Sequence, residues 1–158
     1  MRKLKVYLDT SFLSYLMQED TPEKMQRTLD VWEVFKTGKY HICISNITLD
    51  EILECYEPKQ SFLKSCLKEI KYDILPLNSE VYQLSNKYIE NGIFKEKSAD
   101  DSQHVAVATV NNCDIILSWN FKHIVKHTTF LGVNGINRSM SYKEILLYSP
   151  LEFDIGEV

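Results

Sequence analysis

The sequence predicts a three-layer α/β/α sandwich around a mainly parallel central sheet of about five strands. Short apolar runs recur along the chain, and most are followed by a longer segment whose apolar residues have helical spacing. The length of 158 residues and the hydrophobic content of 44% suit one domain with a sizeable core. Such a domain needs neither disulfides nor a structural metal.

The first strand is predicted at residues 4–8, an apolar run that ends in the polar sequence Asp9-Thr10-Ser11. A short helix follows. Pro22 suits the first turn of a second helix, which Gly38 closes. Residues 40–44 then form the second predicted strand, so that the chain opens with a strand, two helices and another strand.

The third predicted helix has apolar residues at helical spacing, which places Glu51 off its apolar face. These apolar residues are Leu49, Ile52, Leu53 and Tyr56. Pro58 opens a further amphipathic helix, and residues 72–75 form a brief third strand. The next helix is capped by Asn78 or Ser79 and ends at Gly92.

Residues 98–123 are the central unit of the prediction, a helix and strand bracketed by polar clusters. Ser98 suits the N-cap, and Asp100 and Asp101 fall in the first turn, where acids complement the helix dipole. Residues 113–117 read as the fourth strand, followed by a turn and a helical start at Phe121. Because ligands usually bind at the carboxyl edge of such a sheet, Asn120 is expected at the active edge.

The C-terminal part is expected to contain residues 129–131 as a candidate fifth strand and a loop at 132–138. The sequence Ser141-Tyr142-Lys143-Glu144 has the pattern of a capping box, which predicts a last helix. The whole chain, 1–158, is thus predicted to be one domain, with a core at about 4–131 and a C-terminal loop and helix at 132–158.

Charge and cysteine content limit the function. The net charge of −4 gives no general attraction for nucleic acid, so such a substrate would need a metal or a local basic patch. The candidate patch residues flank the central helix and the fourth strand: Lys95, Lys97, Lys122, His123, Lys126 and His127. The four cysteines show no C-x-x-C spacing and are predicted to be buried thiols. Neither a signal peptide nor a membrane span is expected, and the cytoplasm is the expected compartment.

Several familiar phosphate sites are excluded by the motifs. The five glycines form neither G-x-G-x-x-G nor a P-loop, so a nucleotide cofactor is not expected. Asp9-Thr10-Ser11 resembles half of the D-x-D pattern of haloacid-dehalogenase phosphatases, but Ser11 occupies the position of the second carboxylate. A small-molecule phosphatase is therefore only a third hypothesis.

The remaining candidates are polar residues at the ends of elements, each with a structural alternative. Asp9 can cap its helix, and Glu51 can complete a capping box with Thr48. Asp101 can complement the helix dipole, as Asp100 can, and Asn120 can cap a turn at Phe121. Residue type and spacing alone leave both readings open.

Four sequence strings together resemble the signatures of the PIN-domain family. They are Y-L-D-T-S with Asp9, T-L-D-E-I with Glu51, D-S-Q-H-V-A-V-A with Asp101, and L-S-W-N-F-K-H-I with Asn120. The family comprises metal-dependent ribonucleases and includes the VapC-type toxins of toxin–antitoxin pairs. The resemblance implies a PIN-like fold, an RNA substrate, a small antitoxin protein as a possible partner, and a homodimer.

The resemblance also assigns Asp9, Glu51, Asp101 and Asn120 as catalytic residues and as ligands of Mg²⁺ or Mn²⁺. Asp101 is preferred to Asp100 because the family's aspartate lies three residues before the position of His104. Converging carboxylates raise one another's pKa unless a cation lies between them, so a hard divalent ion fits such a set. Residues expected to contact substrate or to orient ligands are Thr10, Ser11, Asp100, His104, Ser118, Lys122 and His123.

The expected activity is hydrolysis of RNA phosphodiester bonds by metal-activated water. The fourth acidic position of the family is here Asn120, an amide without charge. The alternative hypothesis is therefore a catalytically weak PIN-like module that binds RNA or a protein partner.

Overall fold

The structure is a computed structural model that describes residues 2–156. Its strands are β1 (Lys5–Leu8), β2 (His41–Ser45), β3 (Asp73–Leu75), β4 (Ile115–Leu117) and β5 (Leu146–Tyr148). Its α-helices are α1 (Thr10–Ser14), α2 (Pro22–Lys36), α3 (Asn46–Leu53), α4 (Lys59–Leu67), α5 (Ser79–Glu90), α6 (Ala99–Val110) and α7 (His127–Ser139). Short 3₁₀ helices lie at Tyr15–Met17 and Glu96–Ser98.

The five strands form one parallel sheet in the order β3-β2-β1-β4-β5. The first strand therefore lies at the centre, between β2 and β4. Because all strands run the same way, the segments that follow β1, β2 and β4 emerge at the same edge of the sheet. This edge carries the polar sequences that the sequence analysis singled out.

The two faces of the sheet carry separate hydrophobic clusters. Val6 and Leu8 of β1 point to the face covered by α1–α4. Tyr7, between them, points to the opposite face, with the buried residues of α5 and α6. Apolar helices on both sides of a parallel sheet make three layers, which confirms the predicted fold class.

The first four predicted strands are present with shifted ends. The largest shift is at β4, which begins at Ile115 rather than at residue 113, because the backbone N–H of Cys113 completes the end of α6 by donating to Ala108. The helical start predicted at Phe121 is wrong. Residues 121–126 form turns, and the next helix begins at His127.

The C-terminal prediction is wrong in its elements. Residues 129–131 belong to α7, which continues to Ser139, and the capping-box pattern at 141–144 precedes strand β5 rather than a helix. The buried side chain of Asn134 explains part of this arrangement. It donates to the carbonyl of Ile145 and accepts from its backbone N–H, so α7 holds the segment that enters β5.

The cysteine prediction is confirmed for three residues. Cys43, Cys66 and Cys113 are buried, whereas Cys55 is half-buried, and all four are free thiols. Within residues 2–156, every helix is too short or too polar to cross a lipid bilayer.

Candidate active site

The candidate site lies at the carboxyl edge of the sheet, where β1 and β4 end side by side. Asp9 follows β1 directly, and its backbone N–H donates to the carbonyl of Leu117 at 3.3 Å. Ser118 follows β4 at the same level, and Ser45 ends β2. The strands therefore bring together residues that are more than one hundred positions apart in the chain.

Asp9 is buried and held by several donors. Its Oδ1 accepts from the backbone N–H of Phe12 at 2.9 Å, which makes Asp9 the N-cap of α1, and from Ser11 Oγ at 2.8 Å. Its Oδ2 accepts from Ser118 Oγ. Burial raises the pKa of Asp9 above its usual value, although these donors and the charge of His104 partly oppose the rise.

Asp101 occupies the first turn of α6 and faces the same edge. Its half-buried carboxylate has a raised pKa, first because of burial and further because of the negative charge of Asp9. His104, His123 and a hydrogen bond from the Asn120 side chain act in the opposite direction. Asp100 beside it is exposed, so the two adjacent aspartates differ in environment.

Glu51 extends from α3 into a chain of hydrogen bonds. Its Oε1 accepts from Thr10 Oγ1 at 2.8 Å and from His104 Nε2 at 3.1 Å. Burial alone would raise the pKa of Glu51, but the hydrogen bonds from His104 and Thr10 and the charge of His104 lower it overall. The capping-box alternative is wrong, because α3 begins at Asn46 and Thr48 Oγ1 donates to the carbonyl of Leu8 instead.

Asn120 is held by the turn that follows β4. Its Oδ1 accepts from the backbone N–H of His123 at 2.8 Å, and its backbone N–H donates to Ser118 Oγ at 2.9 Å. The Asn120 side-chain amide lowers the pKa of Asp101 through a hydrogen bond. In this arrangement the side-chain oxygen of Asn120 caps the turn.

The site residues offer the hard oxygen donors that Mg²⁺ and Mn²⁺ prefer. No lysine or arginine within residues 2–156 forms an ion pair with Asp9 or Asp101, yet the charge of Asp9 raises the pKa of Asp101. Two desolvated carboxylates in this relation fit a divalent cation, which would offset their repulsion. Asp9 and Asp101 are therefore the residues best placed to hold such an ion.

The three acids do not form a closed ligand cage. Across the described range, 2–156, one group of histidine, cysteine and acidic residues has its ligand atoms within 4.8 Å of one another: His41, Cys43 and Asp73. His41 and Asp73 begin β2 and β3, at the opposite edge of the sheet. Thr10 and His104 both contact Oε1 of Glu51, so Oε2 is the oxygen through which Glu51 could bind an ion.

The predicted second set of site residues divides into two groups. Thr10, Ser11, His104 and Ser118 contact the acids directly. His123 is half-buried and close enough to Asp101 to lower its pKa. Lys122 is exposed and forms none of the ion pairs found between residues 2 and 156.

Tyr7 and Ser45 also belong to the site, although their sequence motifs do not mark them as site residues. The hydroxyl of Tyr7 is buried beneath the site, 2.6 Å from His104 Nδ1 and 2.7 Å from Ser45 Oγ. A tyrosine within a strand that is buried on both faces is the available signal, because a buried phenol requires a hydrogen-bonding partner.

Comparisons with known proteins give structural matches alone. No protein-family model matches the chain, and the search of curated proteins found no similar sequence. A solved structure of VapBC2 from Rickettsia felis bound to a DNA fragment from their promoter matches with a TM-score of 0.60 and 14% identity, over 96% of this chain and all of that chain. VapBC-1 from nontypeable Haemophilus influenzae matches with a TM-score of 0.54 and 14% identity, over 94% of this chain and all of that chain. These matches confirm the predicted fold: the chain has the PIN-like fold of VapC-type proteins.

Proposed function

We propose that the protein is a metal-dependent endoribonuclease that acts as a single PIN-like domain. The observation that carries the proposal is the pair of desolvated carboxylates, Asp9 and Asp101, at the carboxyl edge of the central strands. Each has a raised pKa, and neither forms an ion pair with a lysine or arginine from residues 2–156. Mg²⁺ in sites of phosphoryl chemistry is commonly held by one or two such carboxylates.

Asp9 and Asp101 would hold the ion, with Glu51 as a further ligand and Asn120 beside Asp101. When bound, the ion would lower the pKa of a coordinated water and offset charge on the phosphate. The acidic protein could then bind RNA locally despite its net charge of −4.

The other residues of the site would fix these ligands. Ser11 and Ser118 donate to opposite oxygens of Asp9 and so set the orientation of its carboxylate. Thr10 and His104 do the same for Glu51. His123, beside Asp101, is the cationic side chain best placed to contact a substrate phosphate.

The test is cleavage of a generic single-stranded RNA by purified Asp9→Asn and Asp101→Asn variants, with Mg²⁺ or Mn²⁺ added. Both changes should abolish metal-dependent cleavage and leave the circular dichroism spectrum unchanged. Asparagine at position 9 still offers Oδ1 to the N–H of Phe12, so the cap of α1 is retained. Asp100→Asn is the matched control because Asp100 is exposed, and it should cleave normally. Undiminished cleavage by either site variant would refute the assignment.

We further propose that the protein is the toxin of a toxin–antitoxin pair, because the two solved structures named above are VapBC proteins. Leu53 and Tyr56, beside Glu51, are 55% and 91% exposed, contrary to their predicted place on an apolar helix face. Such a patch suits a protein partner, either a small antitoxin or the second subunit of a homodimer. Co-expression with a small reading frame encoded next to its gene should relieve growth inhibition, and Asp101→Asn should remove the inhibition itself.

A second candidate is a catalytically weak module that binds RNA or protein. Two observations favour it: Asn120 caps a turn through its oxygen, and Glu51 is bound by His104. A metal titration separates the two functions. A nuclease gains turnover as Mn²⁺ is added, whereas a binding module retains RNA without cleaving it at any metal concentration.

A further inference from the structure

A large cleft lies at the opposite edge of the sheet from the acids. Its volume is about 1300 Å³, and its walls come from the segments that precede β1, β2 and β3. Strand β1 has four residues, so the two edges are separated by roughly 13 Å along the strand. The cleft is therefore distinct from the candidate active site.

The walls of this cleft are strongly basic. They contain six of the chain's 18 lysine and arginine residues but just two carboxylates, Glu69 and Asp73. The six are Arg2, Lys3, Lys5, Lys36, Lys68 and Lys71. In a protein with a net charge of −4, this concentration makes the cleft a local region of positive potential.

Within residues 2–156, two of these six cations, Arg2 and Lys36, have an acidic partner, and the other four have none. Arg2 binds Asp114, Lys36 binds Glu33 and Glu69, and Lys5 donates to the carbonyl of Asn111. Lys3, Lys68 and Lys71 form none of the ion pairs of that range and are exposed. They are available to an external anion.

The same positive charges argue against a metal at the neighbouring group of His41, Cys43 and Asp73. His41 Nε2 already lies 2.5 Å from Asp73 Oδ2, which satisfies that pair without an ion. The Cys113 thiol and, to a lesser extent, the charge of Lys5 lower the pKa of the Cys43 thiol, and this positive charge of Lys5 would repel a cation. The cleft is therefore suited to an anionic ligand.

The size and aromatic content of the cleft favour a polymer that carries bases. Its volume exceeds the roughly 300–1,000 Å³ of typical small-molecule sites. Tyr40 and Tyr72 line it and are partly exposed. A positively charged groove with aromatic side chains is the arrangement that binds single-stranded nucleic acid, because bases stack on rings and lysines contact phosphates.

We propose that this cleft binds single-stranded RNA, with Lys3, Lys68 and Lys71 contacting phosphates and the two tyrosines contacting bases. The choice of RNA over DNA rests on the proposed function, whereas the affinity for a phosphodiester backbone rests on the cleft itself. The cleft would hold one part of a strand while another part reaches the acidic edge.

The test measures binding of a fluorescein-labelled single-stranded RNA of about 12 nucleotides, within the ~4–16-nucleotide range of single-strand sites. EDTA is present, so that neither cleavage nor metal-mediated binding contributes. The Lys68→Glu/Lys71→Glu double variant should bind about 10-fold or more weakly. The slope of log K against log salt should become shallower by about 1.4, because each lost phosphate contact contributes about 0.7.

The Lys64→Glu/Lys87→Glu variant is the matched control. It carries the same change of charge at two exposed lysines that do not line the cleft, and it should bind RNA as the unchanged protein does. Equal affinity and slope for the cleft variant, or an equal loss in the control, would overturn the proposal. The proposal would also be overturned, in favour of an acidic peptide as ligand, if poly-glutamate bound as tightly as RNA and the cleft variant no longer bound poly-glutamate.

Cleavage with added metal, measured beside binding in EDTA, distinguishes this proposal from the proposed function. If the protein binds RNA through the cleft but never cleaves it with any added metal, the nuclease proposal fails and the cleft proposal stands. If the protein cleaves RNA but the cleft variant binds RNA normally, the cleft proposal fails and the nuclease proposal stands.

Discussion

The hydroxyl of Tyr7 lies 2.6 Å from Nδ1 of His104, and both side chains are buried beneath the acidic edge. On its other nitrogen, His104 faces Glu51 Oε1 at 3.1 Å. A carboxylate can only accept, so Nε2 carries a proton in either charge state of the ring. The neutral ring then accepts from Tyr7, which accepts in turn from Ser45. This chain connects the interior of the sheet to one acid of the site.

The first prediction concerns His104 as a positioning residue. His104→Gln should weaken the apparent affinity for Mn²⁺ by about 10–100-fold, the usual effect of losing a group that orients a ligand. The measurement is the Mn²⁺ concentration that gives half-maximal RNA cleavage. Excess Mn²⁺ should restore most of the rate, because His104 touches neither the ion nor the substrate. His127→Gln, at an exposed histidine, should change neither quantity. A lower rate with an unchanged metal requirement would contradict the positioning role.

The second prediction concerns the effect of Asp101 ionisation on the stability of the folded state. Its folded pKa lies above the value of 3.8 for an unperturbed aspartate, so its ionisation destabilises the folded state. Asp101→Asn should therefore raise stability in EDTA at about pH 7 by about 1 kcal/mol, or about 2–4 °C in Tm. The gain should shrink as the pH falls and vanish below the unfolded pKa of about 3.8, where Asp101 is protonated in both the folded and the unfolded state.

Added Mg²⁺ should stabilise the unchanged protein and leave Asp101→Asn nearly unaffected, since an ion that binds the folded state raises Tm by mass action. Asp100→Asn, at the exposed neighbour, should respond to Mg²⁺ as the unchanged protein does. An Asp101→Asn variant that is less stable than the unchanged protein in EDTA would show that the carboxylate is already satisfied without an ion.

The sequence was sufficient to predict the first four strands but not the fifth. The spacing of apolar residues and the positions of turn residues identify buried strands that are followed by a helix. The segment from Thr129 to Gly135 contains β-branched residues and two glycines, which argue against a helix by local propensity. Tertiary packing decides otherwise, because Gly132 of α7 faces Ile93 and Asn134 binds the entry to β5. None of these contacts is visible in a local pattern.

Some features of the candidate site could also be predicted from the sequence, and others could not. The position of Asp9 at this edge could be predicted, because Asp9 directly follows a strand of a parallel sheet, whereas Asp101, in the first turn of α6, was assigned to the site by the family resemblance. The engagement of Glu51 by His104, and the role of Asn120 as a cap, depend on side-chain orientation across distant elements. The basic cleft was missed because its lysines come from three separate segments and form no run in the sequence.

The third prediction concerns Asp114, which holds the N-terminal segment. Its carboxylate accepts from both terminal nitrogens of Arg2, from Lys143 and from the backbone N–H of Lys5. The hydrogen bond from Arg2 is the main reason that its pKa is held well below the usual range. Asp114→Asn should therefore destabilise the protein by about 1 kcal/mol at about pH 7, a modest value because Arg2 is largely solvated.

A lowered folded pKa contributes stability above the unfolded pKa, and that stability is lost as the pH falls towards the folded value. The difference in urea-unfolding free energy between Asp114→Asn and the unchanged protein should thus shrink below about pH 4. Asp50→Asn, at an exposed aspartate, should show no comparable difference. A difference that is the same at about pH 3 and about pH 7 would exclude the charge as its origin.

The last prediction compares two glycines of α7. A methyl group at Gly132 would lie 2.8 Å from Cγ1 of Ile93, whereas one at Gly135 would meet nothing within 4 Å. Gly135→Ala should stabilise the protein by about 0.5–1 kcal/mol, because alanine is the better helix former. Gly132→Ala gains the same helix propensity but must displace Ile93, and overpacking of this kind costs about 1–3 kcal/mol.

The Gly132→Ala/Ile93→Val double variant should recover part of that loss, since valine lacks the Cδ1 atom that would lie 3.2 Å from the new methyl. Equal stabilisation by the two single changes, measured as urea-unfolding free energies, would show that Ile93 moves away freely and that this contact does not hold α7 against the segment before α6.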